Sequence, residues 1–261
     1  MGDFMIGFVF SLLFQAMPLL AQESICYNYD VVNTHPEDTR VGIVIKCKRE
    51  GSNFYLDGAV DKNLFFEIQN YTQTPIKTLY LNSGGGQIGE AFKVATFIRS
   101  QGIKTVLRPG AVCLSACTLL FQAGQERWAT PESRLMFHGV RDPFLSKTQI
   151  KEIQECLASP NPSCMAPISK RQQELIELTE QLFSTYEEYG ATPHLAETFW
   201  SLEEDPKWWL QGNYVKLVDL EMTGQEALDL NIATHLFRVD RADRIVSMKT
   251  FKMMSLDLKT L

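Results

Sequence analysis

Clustered positive charge is missing from this 261-residue chain: 25 Lys and Arg stand against 31 Asp and Glu, the net charge is −6, and no basic block occurs. Nucleic-acid binding is excluded on that ground, because neutralising a row of phosphates takes grouped Lys and Arg. Internal repeats and low-complexity tracts are also missing, so repeat architectures drop out. Zinc spacing is missing too: no Cys-x2-Cys or His-x3-His pairing accompanies the six cysteines, and no metal or organic cofactor is expected. Histidine is scarce, with only His35, His138, His194 and His235. What is present is 45% hydrophobic residues, enough for one large domain or a domain plus an appendage.

Phe4 to Leu20 is almost continuously apolar, broken by Ser11 and Gln15, and ends in Pro18-Leu19-Leu20-Ala21-Gln22-Glu23. A short apolar core, a helix breaker and a small residue at Ala21 fit an export signal. Asp3 stands where a positive charge is usual, and Leu19 is larger than the residue usually found three positions before a cut. The alternative is a membrane anchor over residues 4–20, short of the roughly 20 apolar residues that span a bilayer. A buried helix is the third reading. Residues 1–21 are thus expected to be a signal peptide or anchor, 22–40 an irregular segment and 41–261 the folded domain, in the periplasm or otherwise exported.

Six cysteines, an even number, agree with that compartment. Sequence-local pairing gives Cys26 with Cys47, Cys113 with Cys117 and Cys156 with Cys164; buried thiols are the plain alternative. Cys156 and Cys164 bracket a loop with two prolines. Cys113 with Cys117 would staple the turn around Ser115, provided the two Cα atoms lie within about 7 Å.

Val41 to Cys47 and Asn53 to Val60 read as strands split by a Gly51-Ser52-Asn53 turn. Asp61 to Thr72 has helical spacing, with Asp61 a candidate N-cap. Ile76 to Leu81 is a strand, Ile88 to Arg99 a helix and Ile103 to Leu107 a strand. Alternation of this kind predicts an α/β layer built on a parallel sheet, which binds ligands at the carboxyl ends of its strands. Two small-residue turns lie there. Leu81-Asn82-Ser83-Gly84-Gly85-Gly86 ends one strand and opens a helix; Pro109-Gly110-Ala111-Val112-Cys113-Leu114-Ser115-Ala116-Cys117 repeats the device. Ser115 therefore falls where a strand hands over to a helix, and free N–H groups and the macrodipole there stabilise negative charge. Its plain reading is a helix cap.

Tyr80-Leu81-Asn82-Ser83-Gly84-Gly85-Gly86, Ser115-Ala116-Cys117-Thr118-Leu119-Leu120-Phe121-Gln122-Ala123-Gly124 and Pro131-Glu132-Ser133-Arg134-Leu135-Met136-Phe137-His138 together resemble the proteolytic subunit of the Clp protease. The segment from Asp219 to Ala233 is similar to the part that carries that family's acid. The similarity runs over about 41–138 and 209–236. It implies the ClpP/crotonase fold, a spiral of βαβ units, with Ser115 as nucleophile, His138 as general base, Asp219 as the acid that orients it, and Gly85 and Ala116 as oxyanion donors. A serine needs a base within hydrogen-bond reach, and imidazole is the natural one near neutral pH. For the acid, Glu221 and Asp205 are the competitors. Thr223-Gly224-Gln225-Glu226 forms a capping box, which leaves Asp219 without a capping role.

Two residues depart from the family: Gly84 replaces a usual proline and Cys117 a usual glycine. The 80 residues 139–218 between base and acid exceed the family's segment. Lys147 to Leu157 and Ile168 to Tyr189 read as helices of an insert at about 144–208, able to act as a lid, a membrane face or an oligomer contact, or simply to pack on the domain. The resulting expectation is an exported, ATP-independent ClpP-like serine peptidase for peptides or unfolded segments, with homo-oligomerisation and membrane association through the N-terminal segment among its permitted partners. Signal peptide peptidase A offers a related activity, but with a Ser/Lys pair. A non-catalytic binding or assembly module and a crotonase-type acyl-CoA enzyme are the rivals.

Overall fold

The computed structural model describes residues 45–61, 64–70, 74–141, 147–202 and 219–237. The expected signal segment, the irregular 22–40 stretch, Cys26 and Asp205 lie outside them. Strand β1 (Ile45–Glu50) turns at Gly51 into β2 (Asn53–Gly58); α1 (Leu64–Asn70), β3 (Thr78–Asn82), α2 (Ile88–Ser100) and β4 (Lys104–Val106) follow. The β1–β2 pair is antiparallel, and β2, β3 and β4 run parallel. Each parallel step is made by a helical crossover, as the alternation requires.

The chain then places β5 (Val112–Leu114), α3 (Ala116–Gln122), β6 (Arg127–Ala129) and β7 (Arg134–Phe137). After α4 (Lys147–Ala158), α5 (Pro162–Glu188) and α6 (His194–Leu202) come β8 (Leu220–Thr223), α7 (Gly224–Asp229) and β9 (His235–Leu236). Two sheets result, one of six strands in the order β1-β2-β3-β4-β6-β9 and one of three in the order β5-β7-β8. This is a mixed α/β fold. It is not wholly parallel, however: β8 returns antiparallel to β7, just as the tight turn at Gly51 forces β1 and β2 to do.

Alternation along the strands sorts the core. Phe54, Leu56, Leu79 and Leu81 are buried while Tyr55 and Tyr80 between them are half-buried and stack on each other. Ala91, Val94, Ala95 and Ile98 of α2 are buried at helical spacing and join the same core cluster. Helix α3 is buried along its whole length. Strand β1 runs three residues past Cys47, through Lys48, Arg49 and Glu50, because an edge strand tolerates charge.

Helix α5 begins six residues earlier than its apolar pattern predicts. Asn161 Oδ1 accepts from the Ser163 and Cys164 N–H groups, and Pro162 occupies the first turn, a start signal that sequence periodicity overlooks. Leu175, Thr179, Leu182, Phe183 and Tyr186 are buried on one face. The insert therefore packs on the domain, with Phe183 stacked on Phe199 of α6. The disulfide Cys156–Cys164 ties α4 to α5, its Cα atoms 5.9 Å apart.

Candidate active site

Ser115 stands between β5 and α3 with φ 56° and ψ −131°. A non-glycine residue seldom occupies positive φ, and it stays there only when its surroundings fix it. Four contacts do so. Ser115 N–H donates to the Met136 carbonyl at 2.9 Å, tying the turn to β7. The Ser115 carbonyl accepts from both the Thr118 N–H at 2.8 Å and the Thr118 hydroxyl at 2.6 Å. The disulfide Cys113–Cys117, Cα atoms 5.2 Å apart and both residues fully buried, straddles the turn. Ser115 occupies the cap position of α3, yet its side chain makes no capping bond, which argues against the plain reading.

The glycine turn reaches the same spot through backbone pairing. Ser83 N–H donates to the Val112 carbonyl at 2.8 Å and the Leu114 N–H to the Ser83 carbonyl at 3.0 Å, while Asn82 Oδ1 accepts from the Val112 N–H at 3.0 Å. Gly85, at φ +96°, is thereby pressed against the serine: a Cβ there would lie 2.6 Å from Ser115 Cβ and 2.7 Å from the Leu114 carbonyl oxygen. Its N–H donates to Ser83 Oγ at 3.1 Å. Ala116 opens α3, so its N–H belongs to the donors a helix leaves unpaired.

Strand register brings the remaining residues to one edge of the three-stranded sheet. Leu114 pairs with Met136 and Phe137 with Leu220, so Ser115, His138 and Asp219 all lie just beyond paired positions on neighbouring strands. His138 Nδ1 is 2.6 Å from the Gly139 carbonyl; a hydrogen donated there leaves Nε2 with its lone pair free to accept a proton. Burial and then the nearby Arg141 guanidinium push the His138 pKa down to about 3, against the opposing pull of the Gly139 carbonyl. The imidazole is thus neutral at pH 7.

The carboxylate of Asp219 pairs with Arg141 Nη2, and the imidazole Nδ1 faces the Gly139 carbonyl. No hydrogen bond joins Ser115 to His138, or His138 to Asp219, among the described residues. Glu221, the competing acid, pairs with Arg134. Arg141 escaped the sequence reading although it stands only three residues after His138; Thr118, Thr179 and Tyr186, which fix the site's backbone, carried no signal beyond lying on buried helix faces. Cys47 is disulfide-bonded as well. Among the described residues no group of His, Cys, Asp and Glu could hold a metal, and no helix is long and apolar enough to cross a membrane.

An α/β domain that sets a serine on a strained strand-to-helix turn, with an imidazole and a carboxylate on adjoining strand ends, brings near one sheet edge the residue types that serine-hydrolase chemistry uses. Part of the chain is similar to one family of that chemistry. Residues 45–157 match the family model described as Clp protease, which supports a serine-peptidase kind of function. Among solved structures, a ClpP1 point mutant from Listeria monocytogenes is 16% identical, the match covers 72% of this chain and 92% of that one, and the TM-score is 0.46. Comparison with curated proteins gives no match.

Proposed function

We propose that this chain is an exported, ATP-independent serine peptidase that cleaves peptides or unfolded protein segments. The observation that carries the reading is Ser115 itself, held at positive φ with its hydroxyl unused for capping and its Cβ against Gly85. In the proposed cycle Ser115 Oγ attacks the scissile carbonyl carbon while His138 Nε2 takes the hydroxyl proton. The oxyanion is held by the N–H groups of Ala116 and Gly85, the latter exchanging Ser83 Oγ for the substrate. Collapse of the intermediate expels the amine, which takes the proton from His138; water then releases the acyl group by the same steps. Asp219, by leaving Arg141 for His138 Nδ1, would stabilise the imidazolium.

Bonded cysteines at positions 47, 113, 117, 156 and 164 support an oxidising compartment, and with it export through the apolar run at residues 4–20, cleaved or kept as an anchor. An exported peptidase meets no cytosolic ATPase. Self-association is part of the proposal, since family members of this kind work as assemblies.

Labelling the oxidised protein with a fluorophosphonate tests this. An adduct on Ser115 that is lost in His138→Ala supports the hydrolase. A folded, disulfide-intact protein that takes no label overturns it in favour of a peptide-binding module, a reading favoured by the Arg141–Asp219 pair, which keeps the acid from the imidazole. Affinity for coenzyme A would point instead to a crotonase-type enzyme.

A further inference from the structure

Helix α5 lies beyond the region that matches the Clp protease family, yet two of its hydroxyls reach the nucleophile and the base, each through one intervening group. We propose that Tyr186 and Thr179 are positioning residues that fix Ser115 and His138 relative to each other; the proposal rests on the hydrolase reading above.

Hydrogen counting gives the direction of the first path. The Thr118 hydroxyl has one hydrogen and gives it to the Ser115 carbonyl at 2.6 Å. The contact between Thr118 Oγ1 and Tyr186 OH, 2.7 Å long, must therefore be donated by the phenol. Burial raises the Tyr186 pKa, so the phenol keeps that hydrogen. Tyr186 thus locks the Thr118 rotamer that holds the Ser115 carbonyl, and with it the positive-φ turn. Its ring also meets Phe137 edge-on, centroids 5.2 Å apart, immediately before His138.

The second path uses one peptide unit. Thr179, two turns earlier on the same face, donates to the Leu175 carbonyl at 2.8 Å and accepts the Val140 N–H at 2.8 Å. The carbonyl of that same Gly139–Val140 peptide faces His138 Nδ1 at 2.6 Å. Orienting the peptide plane from one side fixes the imidazole tautomer on the other. Nδ1 keeps the hydrogen and Nε2 the lone pair.

Packing alone does not call for either hydroxyl. Phe and Val would fill the same volumes, and a buried hydroxyl costs free energy unless its bonds are made. Here every hydroxyl in both paths is bonded, the condition under which a polar network specifies one geometry. Two anchors two turns apart on one rigid helix set one distance, that between the nucleophile's turn and the base's loop.

The test uses the full-length oxidised protein and three variants, Tyr186→Phe, Thr179→Val and Thr179→Ser. With a small ester as substrate, Tyr186→Phe and Thr179→Val are expected to lower kcat and the fluorophosphonate labelling rate by about 10- to 100-fold, the penalty of a displacement near 1 Å, with KM held within about twofold; Thr179→Ser restores the wild-type values. The 15N shifts of the His138 ring report an Nδ1–H tautomer in the wild type and the Ser variant and a mixture in Thr179→Val. Wild-type rates and tautomer in both Tyr186→Phe and Thr179→Val overturn the proposal. If the wild-type protein takes no label, the hydrolase reading fails by itself, and the ring shifts decide: a mixed tautomer in folded Thr179→Val upholds the Thr179 path, an unchanged one overturns it.

Discussion

Arg141 holds the carboxylate of Asp219 at the strand end where register sets that aspartate opposite His138. The guanidinium side chain is mostly buried, with 14% of its surface exposed against 39% for the aspartate. One cation therefore does two things: it occupies the Asp219 carboxylate and depresses the imidazole pKa. Both resist formation of an imidazolium.

Arg141→Gln should accordingly raise the His138 pKa and speed the reaction. In the wild type the His138 ring is neutral down to about pH 3, so with His138 as the proposed base the acid limb of kcat/KM is expected well below the ordinary histidine value near 6.5, activity persisting at pH 5 and failing only as pH drops further. Removing the cation moves that limb upward, since a positive neighbour disfavours the protonated ring. A pH–rate profile of both proteins measures it. A wild-type limb at 6.5, unmoved in the variant, would show that this environment does not govern the base.

The Cys113–Cys117 disulfide closes a short loop around Ser115. Replacing both residues by alanine should cost about 2 kcal/mol of stability, the entropic scale for so short a loop. A larger consequence is expected at Ser115, whose positive φ loses one of its four restraints: the labelling rate should fall by about tenfold or more in protein that remains folded. Both sulfurs are buried, so reductant added to the native protein should act slowly. Denaturant melts and timed labelling read the two effects separately.

Gly85→Ala should abolish labelling of Ser115. The added methyl would overlap Ser115 Cβ and the Leu114 carbonyl, and the residue would be held at φ +96°, a strain of order 1–3 kcal/mol before any clash. Gly89→Ala is the control. Gly89 sits in α2 with open space around it, where alanine is favoured by up to about 1 kcal/mol. Equal labelling of the two variants would remove Gly85 from the site.

Much of the fold was legible in the chain. The period-2 runs of β2 and β3 and the 3.6-period run of α2 appear within a residue or two of their expected bounds, because each buries one face and repeats its apolar residues accordingly. The capping box predicted at Thr223 and Glu226 is present on both sides, being a purely local arrangement. The start of α5 was missed, since Asn161 and Pro162 signal it by hydrogen bonding and ring geometry and not by periodicity. The return of β8 against β7 was missed too, as strand direction is settled by where a distant segment re-enters the sheet.

By itself, then, the sequence determined the alternation of elements, the two glycine turns and the strand end on which Ser115 stands, and it left the cysteine pairs Cys113–Cys117 and Cys156–Cys164 as one of two readings that the folded chain settled. Tertiary structure alone decided the distant partners: Arg141 for Asp219, Tyr186 for Thr118 and Thr179 for Val140. The reason is physical. Periodicity and capping depend on residues a few positions apart, whereas the partner of a buried polar group is whichever donor or acceptor the packed chain brings within about 3 Å, and here α5 and β8 bring them from 39 to 78 positions away.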